Sequence, residues 1–245
     1  MEVCPPIKKN EKMKKLNLYN NTDDINKNQD VYQSFNSFIF SEDRNLFNKL
    51  YSRINFYDMV KNKGGDIVEC GVFKGSGLLT WLKILDMNEP NSIKKVIGFD
   101  FYDSSFVEDL EGIDKETMSE VFSRCETNID DISLEGVKNK ILSGGFGVDK
   151  FDLVKGDIIK TTKEYSKNRP GFRISILYLD LDLEEPTYET LVNLWDNVVK
   201  GGIIVFDEYG YHNWSESNAV DRFIEERGLS LISTKVKAPT AYIIK

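Results

Sequence analysis

The chain has 245 residues, 40% of them apolar, and a formal net charge of −8 from 32 basic and 40 acidic side chains. That length suits one α/β domain with a full core plus some additions. No apolar run approaches the roughly 18–20 residues needed to cross a bilayer, and the acidic balance argues against a general nucleic-acid binder. Three cysteines, Cys4, Cys70 and Cys125, have no paired spacing, so a reducing cytoplasm is the expected setting. The N-terminal MEVCPPIKKNEKMKK is charged but lacks the apolar stretch of a secretory signal.

In chain order, residues 1–30 are rich in Lys, Asn and Asp and read as a polar arm. Between Asp43 and Lys63, Phe47, Leu50, Tyr51, Ile54 and Tyr57 follow helical spacing, and Gly64–Gly65 end the run. Residues 31–65 are therefore expected to form a helical cap ahead of the first strand, with the main domain spanning 66–245. An alternation follows: strand 66–70, helix 76–87, strand 95–100, helices within 114–142, strand 151–155, strand 174–181, helix 186–199, strand 202–207, helix 217–227, and strands near 229–236 and 240–244. Strands separated by helices imply right-handed crossovers and a mostly parallel sheet with helices on both faces. The last two strands are joined by so few residues that they form a hairpin, which makes one of the seven strands antiparallel.

The segment VECGVFKGSG, Val68 to Gly77, carries the first chemical signal. It is a strand end, a glycine turn and a helix start, which together aim backbone N–H groups at a small ligand. The glycines Gly71, Gly75 and Gly77 do not have dinucleotide-fingerprint spacing, and the Glu69 carboxylate would repel a pyrophosphate. An ammonium or sulfonium would be attracted, which favours S-adenosylmethionine over NAD, with Ser76 at the helix start. In an open parallel sheet the ligand lies beyond the carboxyl ends of the strands. There the second strand ends in Asp100, placed for two ribose hydroxyls, and the third in Gly156–Asp157, placed for an adenine amino group. Asp157 reads equally well as a helix cap.

The fourth strand ends in Asp180 and Asp182, and the fifth in Asp207–Glu208. If the two strands are neighbours, three or four carboxylates meet and call for a cation. Oxygen ligands suit Mg²⁺. His212, the only histidine, is a candidate general base or a surface residue. Tyr209, Tyr211 and Trp214 are candidates to line a sugar pocket or to anchor a loop. The long stretch 103–150 is expected to include a lid.

The segments VECGVFKGSG, GFDFYDSSF, LYLDLDLEEPTYETL and GGIIVFDEYGYHNW together resemble the macrocin O-methyltransferase family over roughly residues 40 to 245. The resemblance implies a class I methyltransferase fold, S-adenosylmethionine, a divalent metal, usually magnesium, and methylation of a sugar hydroxyl on a small molecule. It places the metal ligands on Asp180, Asp207 and Glu208, where the family most often has two consecutive aspartates at the last two positions. It would place the base on a histidine between the second and third strands, but this chain has none between Phe101 and Lys150. Asp182, a metal-bound hydroxide or His212 remain for that role. Asp182 reads also as a support behind the metal or a cap for the helix near Pro186. The very apolar LLTWLKIL suggests a buried neighbour and hence a homo-oligomer. A catalytically silent binding module is the competing class, disfavoured by the intact set of acids.

Overall fold

The structure is a computed structural model that describes residues 22–124 and 128–245. Cys4, Cys125 and most of the expected arm lie outside the described residues. The chain divides into two units, Met1–Arg44 and Asn45–Lys245. In the first, Thr22–Phe40 forms a helix, α1, which begins inside the stretch read as a polar arm. Val31, Phe35 and Ile39 recur every fourth residue on it, and that helical period extends the element back through the polar residues.

The next helix, α2 (Arg44–Val60), lies in the second unit from Asn45 on. That unit continues with β1 (Asp66–Cys70), α3 (Ser76–Asn88), β2 (Val96–Asp100), α4 (Gly112–Arg124), α5 (Ile129–Ile132) and α6 (Leu134–Ser143). Next come β3 (Phe151–Lys155), α7 (Ile158–Lys167), β4 (Ile174–Leu179), α8 (Glu184–Leu194), β5 (Val198–Phe206), α9 (Glu216–Arg227), β6 (Ile232–Ser233) and β7 (Ala241–Ile244). The strands form one seven-stranded sheet in the order β3-β2-β1-β4-β5-β7-β6. β1 through β5 pair in parallel, and β7 pairs antiparallel with β5 and β6. This is the mostly parallel sheet, with one reversed strand, that the sequence suggests.

Side chains alternate across the pleat and divide the core in two. Ile67, Ile176, Tyr178, Ile203 and Val205 face α2, α3 and α6, packing with Phe56, Trp81 and Ile141. Val68, Leu177, Leu179, Ile204 and Phe206 face α7, α8 and α9, packing with Tyr165, Leu191 and Phe223. Both faces are covered, as a parallel sheet requires.

Two elements differ from the sequence reading. α7 was not expected; Asp157 caps it by accepting the Ile159 N–H at 3.0 Å, and Ile158, Thr162 and Tyr165 bury one face at helical spacing. The helix expected over 186–199 ends at Leu194, and β5 starts at Val198 rather than after the Gly201–Gly202 pair. Gly201 takes a φ of 76° inside the strand and donates its N–H to the Lys245 carbonyl at 2.6 Å, so the pair bends the strand instead of starting it.

Phe223 is fully buried and meets the Trp195 ring edge-on at 5.4 Å. Phe223→Ala should cost about 3–5 kcal/mol of stability, read as a lower denaturation midpoint in urea. A loss below about 1 kcal/mol would show that this face of the sheet is not tightly packed.

Candidate active site

The carboxyl ends of β1, β2 and β4 open on a cavity of about 660 Å³. At β1, Gly71 takes a φ of 87°, and a Cβ there would lie 1.8 Å from the Asp180 carbonyl oxygen. Only glycine lets the turn pass so close to β4. Gly75, with a φ of 86°, precedes α3, and no side chain caps the helix. Its first N–H groups, at Ser76 and Gly77, are thus presented to the cavity that these residues line. A Cβ on Gly77 would fall 1.9 Å from Glu69 Oε1, so glycine is what leaves room for the acid.

Glu69 is 2% exposed. Its Oε1 accepts from Arg53 Nη2 at 3.2 Å, while its Oε2 has no partner. Burial pushes its carboxyl up to about 7, with the Arg53 charge opposing the shift. An orphaned carboxylate oxygen beside open helix N–H groups fits the ammonium and carboxylate of an amino-acid ligand. Arg53 is held in turn over the rings of Tyr178 (4.5 Å) and Trp81 (5.6 Å).

Asp100 lines the cavity and also orders the backbone around it. Its Oδ2 accepts the N–H groups of Val72 (2.6 Å) and Phe73 (2.9 Å), and its Oδ1 that of Tyr102 (2.8 Å). A carboxylate has about four acceptor sites, so two hold the glycine turn and a third holds the loop after β2 at Tyr102. Phe73 and Tyr102 themselves sit at φ 50° and 55°, left-handed conformations that cost non-glycine residues about 1–3 kcal/mol each and that these bonds sustain. Asp157 lines the cavity while capping α7. Gly156 is a left-handed turn bonded to the Asp100 carbonyl. The apolar wall facing this turn is aromatic: Phe101 stacks on Phe106 at 4.9 Å, and Phe106 and Phe73 both meet Phe122 edge-on. Phe106 and Phe122 come from the long 103–150 stretch, Phe73 from the glycine turn, and Phe101 directly follows β2.

β4 and β5 are neighbours, so their terminal acids do meet. Asp207 is fully buried and accepts the Tyr178 hydroxyl on Oδ1. Its Oδ2 lies 2.6 Å from Lys49 Nζ, and the same ammonium lies 3.4 Å from Asp180 Oδ2. Burial works against the charge on Lys49, but Asp180 and Asp207 outweigh it and hold the amine protonated. Burial and the neighbouring Asp207 push Asp180 up to about 6. Burial and the Asp180 charge push Glu208 up to about 7. Asp182 lines the cavity at φ 66°, with a buried Oδ1 that has no partner; burial, then Asp180, raises its carboxyl well above the usual range. Glu216, at the start of α9, is fully buried behind this group, with neither oxygen partnered.

The donor chemistry suits a hard cation, but the geometry does not suit a bound metal. Among the described residues, no three His, Cys, Asp or Glu side chains are arranged to hold an ion. The position between Asp180 and Asp207 belongs to Lys49. The expected Mg²⁺ triad Asp180, Asp207 and Glu208 is therefore gathered but not convergent, because an ammonium takes the space and the free oxygen of Asp207.

His212 is exposed and lies outside the cavity lining. Tyr209 donates its hydroxyl to Asp221 (2.7 Å) and Tyr211 to the Lys237 carbonyl (2.5 Å). Both tyrosines anchor the loop after β5, and only Trp214 of the expected aromatic set lines the cavity. Lys49, Arg53 and Glu216 escaped the sequence reading. The signal for the first two was two basic residues one turn apart among the apolar positions of α2; nothing marked Glu216.

The family described as macrocin O-methyltransferase matches residues 22–244. The sequence matches none of the curated proteins. Among solved structures, the chain is similar to apo CalS11, a TDP-rhamnose 3'-O-methyltransferase of calicheamicin biosynthesis, with 24% identity, a TM-score of 0.64, and coverage of 96% of this chain and 92% of that one. It is similar also to the O-methyltransferase NovP, with 22% identity, a TM-score of 0.65, and coverage of 80% and 79%. An O-methyltransferase from Bacillus cereus in complex with SAH shares the fold at 11% identity and a TM-score of 0.51, each chain covered to 94%. With its seven-stranded sheet, its glycine turn over a buried acid and a family match across nearly all the described residues, this chain belongs to the macrocin O-methyltransferase family.

Proposed function

We propose that the protein transfers a methyl group from S-adenosylmethionine to a sugar hydroxyl of a small molecule. The observation that carries this is one shared cavity. It has an uncapped helix start and an orphaned acid, Glu69, on one side and the β4–β5 carboxylates on the other. Support for the sugar comes from the family and from similarity to CalS11, whose described acceptor is TDP-rhamnose. Among the described residues no helix is long and apolar enough to cross a membrane. A nucleotide sugar or a glycan precursor are the acceptor classes this reading includes.

When bound, S-adenosylmethionine supplies an electrophilic methyl on a sulfonium that turns neutral as the methyl leaves. Glu69 and the N-terminus of α3 would hold its amino-acid end, and Phe101, Phe106 and Phe122 would wall its base. In such a transfer the acceptor oxygen would take the methyl carbon as the carbon–sulfur bond breaks, and this chain's part would be to accept the hydroxyl proton on a carboxylate. We assign that proton to Asp182, which lines the cavity and whose buried Oδ1 has no partner, whereas Asp180 is engaged by Lys49 and His212 is exposed. The remaining acids keep the rim negative and favour a cationic donor. Trp214, at the same rim, offers a flat face for a pyranose.

Incubation with methyl-labelled S-adenosylmethionine and a panel of nucleotide-linked deoxysugars should label a sugar hydroxyl. Saturable binding of adenosylhomocysteine without transfer to any acceptor would favour a silent module. Asp182→Asn should lower kcat by about 10²–10⁴-fold and leave adenosylhomocysteine affinity unchanged; equal loss of both would assign Asp182 to cofactor binding.

Glu69 must be ionised to pair with an ammonium, and in the free protein it is protonated below about 7. Arg53 and Lys49 on α2 oppose that protonation, and Asp180, just after β4, favours it. Affinity for adenosylhomocysteine should therefore weaken as pH falls below about 7, by up to about tenfold per unit. Glu69→Gln should flatten the profile. A wild-type profile that is already flat would separate Glu69 from the ligand amine.

A further inference from the structure

We propose that Lys49 is the resident cation of the acidic rim, a positioning residue whose ammonium orients the acceptor hydroxyl where a divalent metal would otherwise sit. The inference rests on the methyl-transfer reading and deepens it.

The first support is position. Nζ bridges Asp207 (2.6 Å) and Asp180 (3.4 Å), the ends of two adjacent strands. Both oxygens of Asp207 are engaged, Oδ2 by this ammonium and Oδ1 by the Tyr178 hydroxyl. A magnesium ion needs carboxylate oxygens at about 2.1 Å and would have to displace Nζ to reach them.

The second support is delivery. Lys49 is one helical turn before Arg53 on α2, so both project from one face. Arg53 is 5% exposed and is pinned by Glu69 at 3.2 Å and by the Tyr178 ring. That anchor fixes the helix and brings the lysine stem to the rim. The side chain of Lys49 is 27% exposed, enough to meet a ligand while remaining paired.

The third support is valence. An ammonium has three donors. Two point to Asp180 and Asp207, and Lys49 lines the cavity, so the third is available to an acceptor oxygen. No bond to Lys49 forms or breaks.

The test pairs Mn²⁺ uptake, followed by electron paramagnetic resonance, with transfer rates in EDTA. Both use full-length protein loaded with adenosylhomocysteine or S-adenosylmethionine as appropriate. Wild type should show no saturable Mn²⁺ site at the rim and should keep its transfer rate in EDTA. Lys49→Met should lower kcat by about a hundredfold, and Lys49→Arg should restore part of that loss. With the fixed charge gone, Lys49→Met should bind Mn²⁺ at least about tenfold more tightly than wild type. A wild-type Mn²⁺ site unchanged by Lys49→Met, or transfer abolished by EDTA and restored by Mg²⁺, would overturn the proposal. Adenosylhomocysteine binding is measured on each variant as the check on folding. Its loss in wild type would instead strike the methyl-transfer reading.

Discussion

Carboxylates packed at one end of a parallel sheet repel one another and lose hydration, and this structure answers that cost with cations carried on a single helix. α2 places Arg53 against Glu69 and Lys49 against Asp180 and Asp207. The two pairs divide the rim. Arg53 leaves one oxygen of Glu69 open beside the glycine turn, so a cationic ligand can complete the pairing there. Lys49 closes the gap between β4 and β5, so the acids can stay gathered without flying apart. Buried pairs of this kind add little to stability on their own, but losing one partner is costly, because the other charge is left behind. The arrangement is better understood as a means of shaping a charged site than as a source of fold stability.

The backbone around that site is held in conformations it would not choose alone. Phe73, Tyr102 and Asp182 all take positive φ, and all follow sheet strands at the cavity end. Asp100 supplies the restraint for the first two by gathering three N–H groups onto one carboxylate. Gly71 supplies the clearance that brings β1 and β4 together. Strain concentrated at one rim, in a domain whose core is otherwise regular, is what a preorganised ligand site looks like.

Much of this was legible in the chain. The alternation of apolar runs and glycine breaks gave the strand count and the reversed last strand, and the acids at the ends of β4 and β5 declared their meeting once those strands were taken as neighbours. What could not be read was how each acid is used. Asp100 looks from the sequence like a ligand group, and no spacing rule encodes that it also gathers the backbone amides of Val72 and Phe73, 28 and 27 residues earlier in the chain. Lys49 and Arg53 were hidden because an amphipathic helix is read by its apolar positions, and charges on its buried side are taken for solvent-facing ones. α7 was overlooked because its apolar face is narrow and interleaved with Lys and Thr. The loop tyrosines Tyr209 and Tyr211 carry the composition of a sugar pocket, but their hydroxyls are committed to Asp221 and to the Lys237 carbonyl.

The central claim is that an amine, rather than a metal ion, neutralises the β4–β5 acids. Anomalous diffraction from crystals grown with adenosylhomocysteine and soaked in Mn²⁺ tests it most directly. The account predicts no anomalous peak between Asp180 and Asp207, with Lys49 density bridging the two carboxylates. A strong peak at that position, with the lysine swung out of the rim, would contradict it.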